Sequence, residues 1–372
     1  MEITLPGFSV LHTVRFLAVF VILFLPIVVF SQSTLNNCDP VYEKALTAYR
    51  EGRINDVPTI LKDCLENWQG EREADAHKLL TNTYLYFNER AQAENAMLNF
   101  LKLNSEYAID ADSTSENRDT PEFINLYNTF RTRPIFLIGA KAGGNWSFIN
   151  GTKGFSLDNE AFTEQEYNGR LGYQAGISAE IPVWKQFAIN PEFYLLVKGY
   201  KETSTIMDFA KISFTETQYW ADLPLTLKYN VLTKNRNRVP FISIGSSVQY
   251  LIHSNADLDR KDIDVMTGSI ARALDPKPVN VTNMRNRLNY NAIIGAGIKL
   301  KNVIGKGLIT IEGRYTHGLR NIVNPEKRAA GLYNSDLVYD FLHIDNNFTM
   351  NTFSVSLGYI MPQYKPKVLR KR

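Results

Sequence analysis

Three histidines with oxygen-bearing neighbours are the side chains best suited to chemistry: His253 beside Ser254 and Asp257, His317, and His343 beside Asp345. An imidazole close to a carboxylate and a hydroxyl can form an acid–base cluster or hold a metal. All three fall towards the same ends of alternating segments, so an enzyme acting on lipid or peptide at a rim is one reading. Parity weakens it. His253 falls on the polar, inward parity of its segment, whereas His317 shares the outward face with Ile309, Ile311 and Tyr315. No phosphate-cradling glycine loop, zinc-spaced Cys/His set or nucleophile elbow is present. The expectation is no catalytic residue, no metal and no cofactor.

A second ionisable set sits on the polar parity of otherwise apolar segments. Lys141, Arg170, Lys198, Lys228, Lys299 and Arg314 are basic; Glu180, Glu192, Asp222 and Glu312 are acidic. The segments holding them are Ile135 to Trp146, Arg170 to Val183, Phe187 to Gly199, Gln218 to Tyr229, Phe241 to His253, Leu288 to Leu300, Leu308 to His317 and Asn351 to Ile360. Phe241 to His253 shows the pattern. Ile242, Ile244, Val248, Tyr250 and Ile252 share one face; Ser243, Gly245, Ser247, Gln249 and His253 share the other, with Phe241 and Leu251 as exceptions. Small and polar residues on one parity suit a narrow interior, and apolar residues on the other suit lipid. Each segment supplies the roughly 9–11 residues that a tilted membrane strand needs.

The fold class expected is an all-β transmembrane barrel of about eight antiparallel strands, preceded by an all-α domain. Connections alternate in length. Residues 184–186, 230–238 and 301–306 are short links, and 148–167, 200–217, 254–287 and 318–350 are long ones. Short turns belong in the periplasm and long loops outside, which puts both barrel termini in the periplasm. An eight-stranded interior has room only for side chains. Charges of both signs there should pair into a plug; a narrow ion path is the alternative, and a solute porin is disfavoured.

Phe16 to Phe30 is an apolar run of about fifteen residues after Arg15, short for a span of roughly 20 and suited to a signal peptide. Cleavage is expected after Ser31, with an uncleaved anchor as the alternative. The domains expected are residues 1–31 signal peptide, 32–133 periplasmic helical domain, 134–362 barrel and 363–372 basic tail. The tail, with Lys365, Lys367, Arg370, Lys371 and Arg372, should hang in the periplasm, solvated or against anionic headgroups or an acidic partner. Cys38 and Cys64 are the two cysteines. In an exported protein they either form a disulfide, closing about 26 residues for about 3 kcal/mol, or are two unrelated thiols. A net charge of +3 argues against nucleic acid.

From Pro40 to Tyr107 the periodicity is helical. Val41, Ala45, Leu46 and Tyr49 form a stripe ended by Gly52, and helices follow from Asn55 through Cys64, over Arg72 to Phe87, over Glu89 to Lys102 and over Pro121 to Phe130. The second pair resembles a tetratricopeptide repeat through Leu80, Tyr84, Ala93, Met97 and Phe100, with Tyr49 and Tyr84 about 35 residues apart. The first repeat departs from the pattern at Pro58. That resemblance implies a concave surface for a protein partner, for which Tyr49, Tyr84 and Asn88 are candidates; a simple spacer is the alternative.

Glycine-punctuated strands such as Leu171-Gly172-Tyr173-Gln174-Ala175-Gly176, Ile294-Gly295-Ala296-Gly297 and Ser356-Leu357-Gly358-Tyr359 resemble the PorT-like outer-membrane β-barrel family over Ile135 to Ile360. The resemblance implies the outer membrane and, for a component of that family, type IX protein secretion. The chain departs from the usual barrel ending by continuing past Tyr359 to Arg372. The partners expected are outer-membrane lipid and a periplasmic or outer-membrane protein, with oligomeric state open.

Overall fold

The computed structural model describes residues 38–110, 118–153, 164–206, 209–231, 237–264, 266–301, 303, 307–328, 337 and 340–369. The expected signal peptide and the last three tail residues lie outside these. Contacts divide the chain into two units, with the boundary between Asn128 and Thr129.

The first unit is helical: α1 (Asp39–Arg50), α2 (Asp56–Lys62), α3 (Glu71–Tyr86), α4 (Arg90–Leu103) and α5 (Pro121–Tyr127). Glycine sets the end of α1. Gly52 has φ +81°, and the Arg53 amide reaches back to the Ala48 carbonyl at 2.9 Å, a closure that needs the left-handed conformation. The turn returns Cys64 to Cys38, and the two form a disulfide with a Cα–Cα distance of 5.7 Å. Around it pack Ala45, Ala48, Val57, Leu61, Trp68 and Leu80. The last helix is latched to the others by polar contacts. The Tyr107 hydroxyl donates to Asp119 at 2.7 Å, and the Lys78 ammonium donates to Tyr107 at 2.6 Å and pairs with Asp119 at 2.8 Å. Phe123, fully buried on α5, meets the edges of Phe100 and Tyr107.

The second unit contains β1 (Phe136–Lys153), β2 (Glu164–Pro182), β3 (Phe187–Ile206), β4 (Ala210–Asn230), β5 (Arg238–Ile263), β6 (Ile270–Asn280), β7 (Leu288–Lys301), β8 (Leu308–Gly318) and β9 (Asn347–Gln363). The order β4-β3-β2-β1-β9-β8-β7-β5 closes through a β4–β5 pairing into an antiparallel ring of eight; β6 pairs only with β5, beyond the ring. Phe136 pairs with Gln363, so both ends of the barrel lie at one rim, together with the β2–β3, β4–β5 and β7–β8 connections. The C-terminal segment does not hang free in the described part. Val368 bridges Phe130, and the Arg131 amide donates to the Lys367 carbonyl at 2.9 Å. Phe130 therefore belongs with the barrel unit rather than with the helical stripe.

The strands are longer than expected, and for a physical reason. Around the middle of the barrel the exposed parity is apolar, as in Leu171, Ile177, Leu195, Leu223, Ile244, Ile294 and Val355. Along β3 and β4 the pattern then inverts. Tyr200, Ile206, Ala210, Ile212 and Phe214 turn inward and are buried, while Lys201, Thr203, Thr205, Lys211, Ser213 and Thr215 face outward. This is the pattern of a sheet in water, so 200–206 and 210–217 continue as paired strands rather than as a loop. Much of 254–287 is likewise the β5–β6 ribbon.

Replacing Gly52 with Ala puts a Cβ on a left-handed residue. It should lower the stability of the helical unit by about 1 kcal/mol, read as a lower denaturation midpoint of the helical circular-dichroism signal. An unchanged midpoint would contradict the role of this turn.

Candidate functional site: the barrel interior and its cap

Alternation aims one side chain in two into a ring too narrow for water-filled space, and in this ring many of them are charged. Lys141 Nζ donates to Glu192 Oε1 at 2.6 Å and to Glu312 Oε2 at 2.8 Å. Arg314 pairs with Glu192 and donates from Nε to Glu312 Oε1 at 2.8 Å. Lys299 pairs with Glu180 and donates to Asn230 Oδ1 at 2.8 Å. Lys228 Nζ stands 3.8 Å from both Glu180 and Glu312 and 4.8 Å over the Phe241 ring. Four cations thus share three carboxylates, all buried. Glycine makes the room: a Cβ on Gly358 would lie 2.5 Å from Lys141 Cγ.

Further along the interior, Lys198 Nζ donates to Gln249 Oε1 at 2.8 Å and lies 4.8 Å over the Trp220 ring. Here, bounded by Lys198, Asp222, Gln249, Asn145, Gln174 and Arg314, is a polar cavity of about 20 Å³, room for a water or so.

Arg170, expected in the same network, is elsewhere. A register shift in β2 between Gly169 and Tyr173 displaces it. Its guanidinium donates to Thr217 Oγ1 at 3.0 Å and to the Glu216 carbonyl at 3.4 Å, a hydroxyl and a carbonyl in place of carboxylates.

The end of the barrel opposite the rim that holds both its termini is filled by a second cluster that sequence reasoning missed. Arg285 Nη2 donates to Glu216 Oε2 at 2.7 Å and Nε donates to Oε1 at 2.9 Å; Nη1 and Nη2 donate to Asp345 at 2.7 and 2.8 Å. Ser254 Oγ donates to Glu216 Oε1 at 2.6 Å. Around this salt bridge lies an apolar core of Tyr200, Phe214, Leu258, Ile322, Phe341 and Phe348. Arg285 is bracketed by its chain as well, bridged to Val323 in the β8–β9 connection. Nothing local marks Arg285 in the sequence, because its partners lie 69 and 60 residues away.

The histidines are not brought together. A bulge opposite Tyr219 and Trp220 shifts the parity of β5, so that Ser254 is buried and His253 sits beside the outward Tyr219 ring at 6.3 Å; the expected inward His253 is thereby corrected. His317 lies 6.4 Å from Tyr315. His343 is buried, stacked on Phe214 at 4.2 Å, with Nε2 3.6 Å from Asp345. Burial alone would lower its pKa; Glu202, and then the contact with Asp345, outweigh that and hold it above the ordinary histidine value. Burial raises Glu202, and His343 offsets only part of this. Asp345 resists burial because Arg285 and His343 hold it far below the usual carboxylate range. Among the described residues no group of three or more His, Cys, Asp or Glu is arranged to hold a metal.

In the helical unit, Tyr49 and Tyr84 pack half-buried against its core. Asn88 is exposed in the turn after α3, with φ +58°. Sequence reasoning passed over Tyr86, which is 69% exposed at the end of α3.

Replacing Lys141 with Met takes from Glu192 and Glu312 the cation they share and leaves both on Arg314, so it should cost about 3 kcal/mol, the lower end for breaking a buried ion pair. Arg170→Gln should change stability by less than about 1 kcal/mol. Urea titration of the heat-modifiable gel shift compares the two, and equal loss would contradict the network.

His343, with a raised native pKa, adds stability that is complete below its unfolded value of about 6.5 and disappears as pH rises through the native value. Glu202 acts in the same direction. Asp345 acts oppositely, losing its contribution only as pH falls below about 4. Hydrogen exchange in residues 341–348, corrected for intrinsic rate, should therefore quicken as pH rises above about 6.5, and His343→Gln should remove that dependence.

Several solved barrels are similar to this chain. The attachment invasion locus protein Ail of Yersinia pestis, in complex with a heparin analogue, is 12% identical, covers 61% of this chain and 99% of its own, and has a TM-score of 0.26. OprG of Pseudomonas aeruginosa is 9% identical, with coverages of 62% and 98% and a TM-score of 0.31. The protease OmpT of Escherichia coli is 8% identical, with coverages of 61% and 96% and a TM-score of 0.33. No curated protein matches. The sequence model of the outer membrane protein beta-barrel domain matches residues 128–324, more than half of the chain, and the protein belongs to that family.

Proposed function

We propose that this protein is a non-enzymatic outer-membrane anchor, a closed barrel that holds the helical unit in the periplasm, where the unit docks a protein partner. The ion-paired interior carries this reading: Lys141, Glu192, Glu312 and Arg314 interlock across the bore, a polar cavity beside them holds about 20 Å³, and a packed apolar core lies at the outer end. A solute channel needs continuous water, and a rim enzyme needs accessible acid–base groups held together, whereas His343 is 5% exposed and the partly exposed His253 and His317 lie against Tyr219 and Tyr315. Short turns at the rim shared by both barrel termini favour a periplasmic helical unit, by the convention of such barrels. We read α1–α2 and α3–α4 as tetratricopeptide-like pairs, with Tyr86 and Asn88 offering exposed side chains to the partner. The PorT-like resemblance makes protein secretion or envelope assembly the setting.

A crosslinked pull-down from outer membranes should recover a partner with the full chain and lose it when residues 38–128 are deleted; equal recovery would overturn the docking role. In planar bilayers the purified protein should add no unitary conductance, and open-channel steps would overturn the closed barrel. On intact cells a membrane-impermeant maleimide should label Met266→Cys, which lies in the β5–β6 turn; no labelling would reverse the orientation.

A further inference from the structure

One side of the outer rim carries charge that neither the interior nor the cap uses. Arg287, just before β7, and Arg320, two residues past β8, are exposed. Both are nevertheless held. Arg287 Nη1 donates to the Leu251 and Ile252 carbonyls at 3.3 and 3.2 Å, and Arg320 Nη1 donates to the Leu288 carbonyl at 3.1 Å. The strands beneath are tied at the same level, since the Leu251 amide donates to the Arg287 carbonyl at 2.7 Å and the Leu319 amide to the Tyr290 carbonyl at 2.9 Å. A guanidinium has five N–H donors. Main-chain carbonyls occupy one nitrogen of each and fix its place, and the remaining donors can serve an outside acceptor.

The surroundings specify that acceptor. The stretches Asn286 to Tyr290 and Thr316 to Asn321 contain no Asp or Glu. Ile252, Leu288, Tyr290 and Leu319 are 41–60% exposed, so the lipid-facing band reaches the arginines on this side. A ligand fitting both features has an anionic head and apolar chains. Arginine forks match phosphate oxygens in bidentate geometry, and partial removal from water strengthens the pairing.

We propose that Arg287 and Arg320 form a binding site for the phosphate of a phosphorylated glycolipid in the outer leaflet, whose acyl chains lie on Ile252, Leu288 and Leu319. The proposal rests on the orientation given above, but binding to the purified protein does not depend on it. If Met266→Cys labelled from the opposite side, the orientation would fail while the binding result stood.

The test is native mass spectrometry of the full chain, released from detergent after titration with diphosphoryl lipid A. Dephosphorylated lipid A and millimolar inorganic phosphate form the other arms. The wild type should bind the diphosphoryl lipid about thirty-fold more tightly than the double variant R287Q/R320Q, and each single variant should lose about five-fold. Arg170→Gln should bind as wild type. Heat-modifiable mobility reports folding, and the single variants decide the matter if the double variant does not fold. Equal binding by wild type and variants would overturn the proposal, as would dephosphorylated lipid binding equally well. Displacement of the lipid by inorganic phosphate would mean a free-anion site and would also overturn it.

Discussion

Closure of the main-chain hydrogen bonds governs the rest of this molecule. Within hydrocarbon no amide or carbonyl finds water, so strands survive there only as a ring without edges. Eight strands make a ring whose bore is the width of side chains. Every second residue must therefore fit, and be satisfied, inside. Lys141, Glu192, Glu312 and Arg314 meet that demand by sharing partners, each charge contacting at least two others. Glycine and serine on neighbouring inward positions give these long side chains their space. Replacing one member by an apolar residue leaves its neighbours buried with one partner fewer, which makes the plug cooperative rather than a sum of separate bonds.

The same strands solve a different problem once they leave the membrane. Apolar groups must then turn inward, and β3, β4 and β5 do so without ending. The inner face above the membrane thus becomes an ordinary hydrophobic core, into which the connection after β8 supplies Ile322, Val323 and Phe341. A polar device crosses that core, Arg285 with Glu216 and Asp345, and it joins β4 to two of the connections at that end. Interior plug and apolar cap follow from one ring under two solvents.

The helical unit obeys water throughout. Its short helices could not hold on propensity alone, and the Cys38–Cys64 bond, the Gly52 turn and the Tyr107–Asp119–Lys78 latch each restrain a connection between them. Tyr49 and Tyr84, whose spacing suggested a binding face, have half of that role taken by packing. An exposed aromatic such as Tyr86 cannot be told from a packing one by helical periodicity, since both occupy the edge of the same stripe.

Parity in the eight segments was enough to assign the ring and the inward position of most of its charged residues, because a strand's side chains alternate whatever their partners are; it did not tell the ion-paired Lys141, Glu192, Glu312 and Arg314 from Lys198, which lies on Gln249. Wherever that local rule was interrupted, the sequence misled. A bulge in β5 turned His253 outward and Ser254 inward, and a shift in β2 took Arg170 away from the carboxylates. Strand ends beyond the membrane were missed because inversion of polarity looks like the end of a pattern. Local composition thus determined which face meets lipid. Pairing of Arg285 with Glu216 and Asp345, the stacking of His343 on Phe214 and the hold of the Leu288 carbonyl on Arg320 were decided only by tertiary structure, since side chains select partners by distance in space and not by separation along the chain.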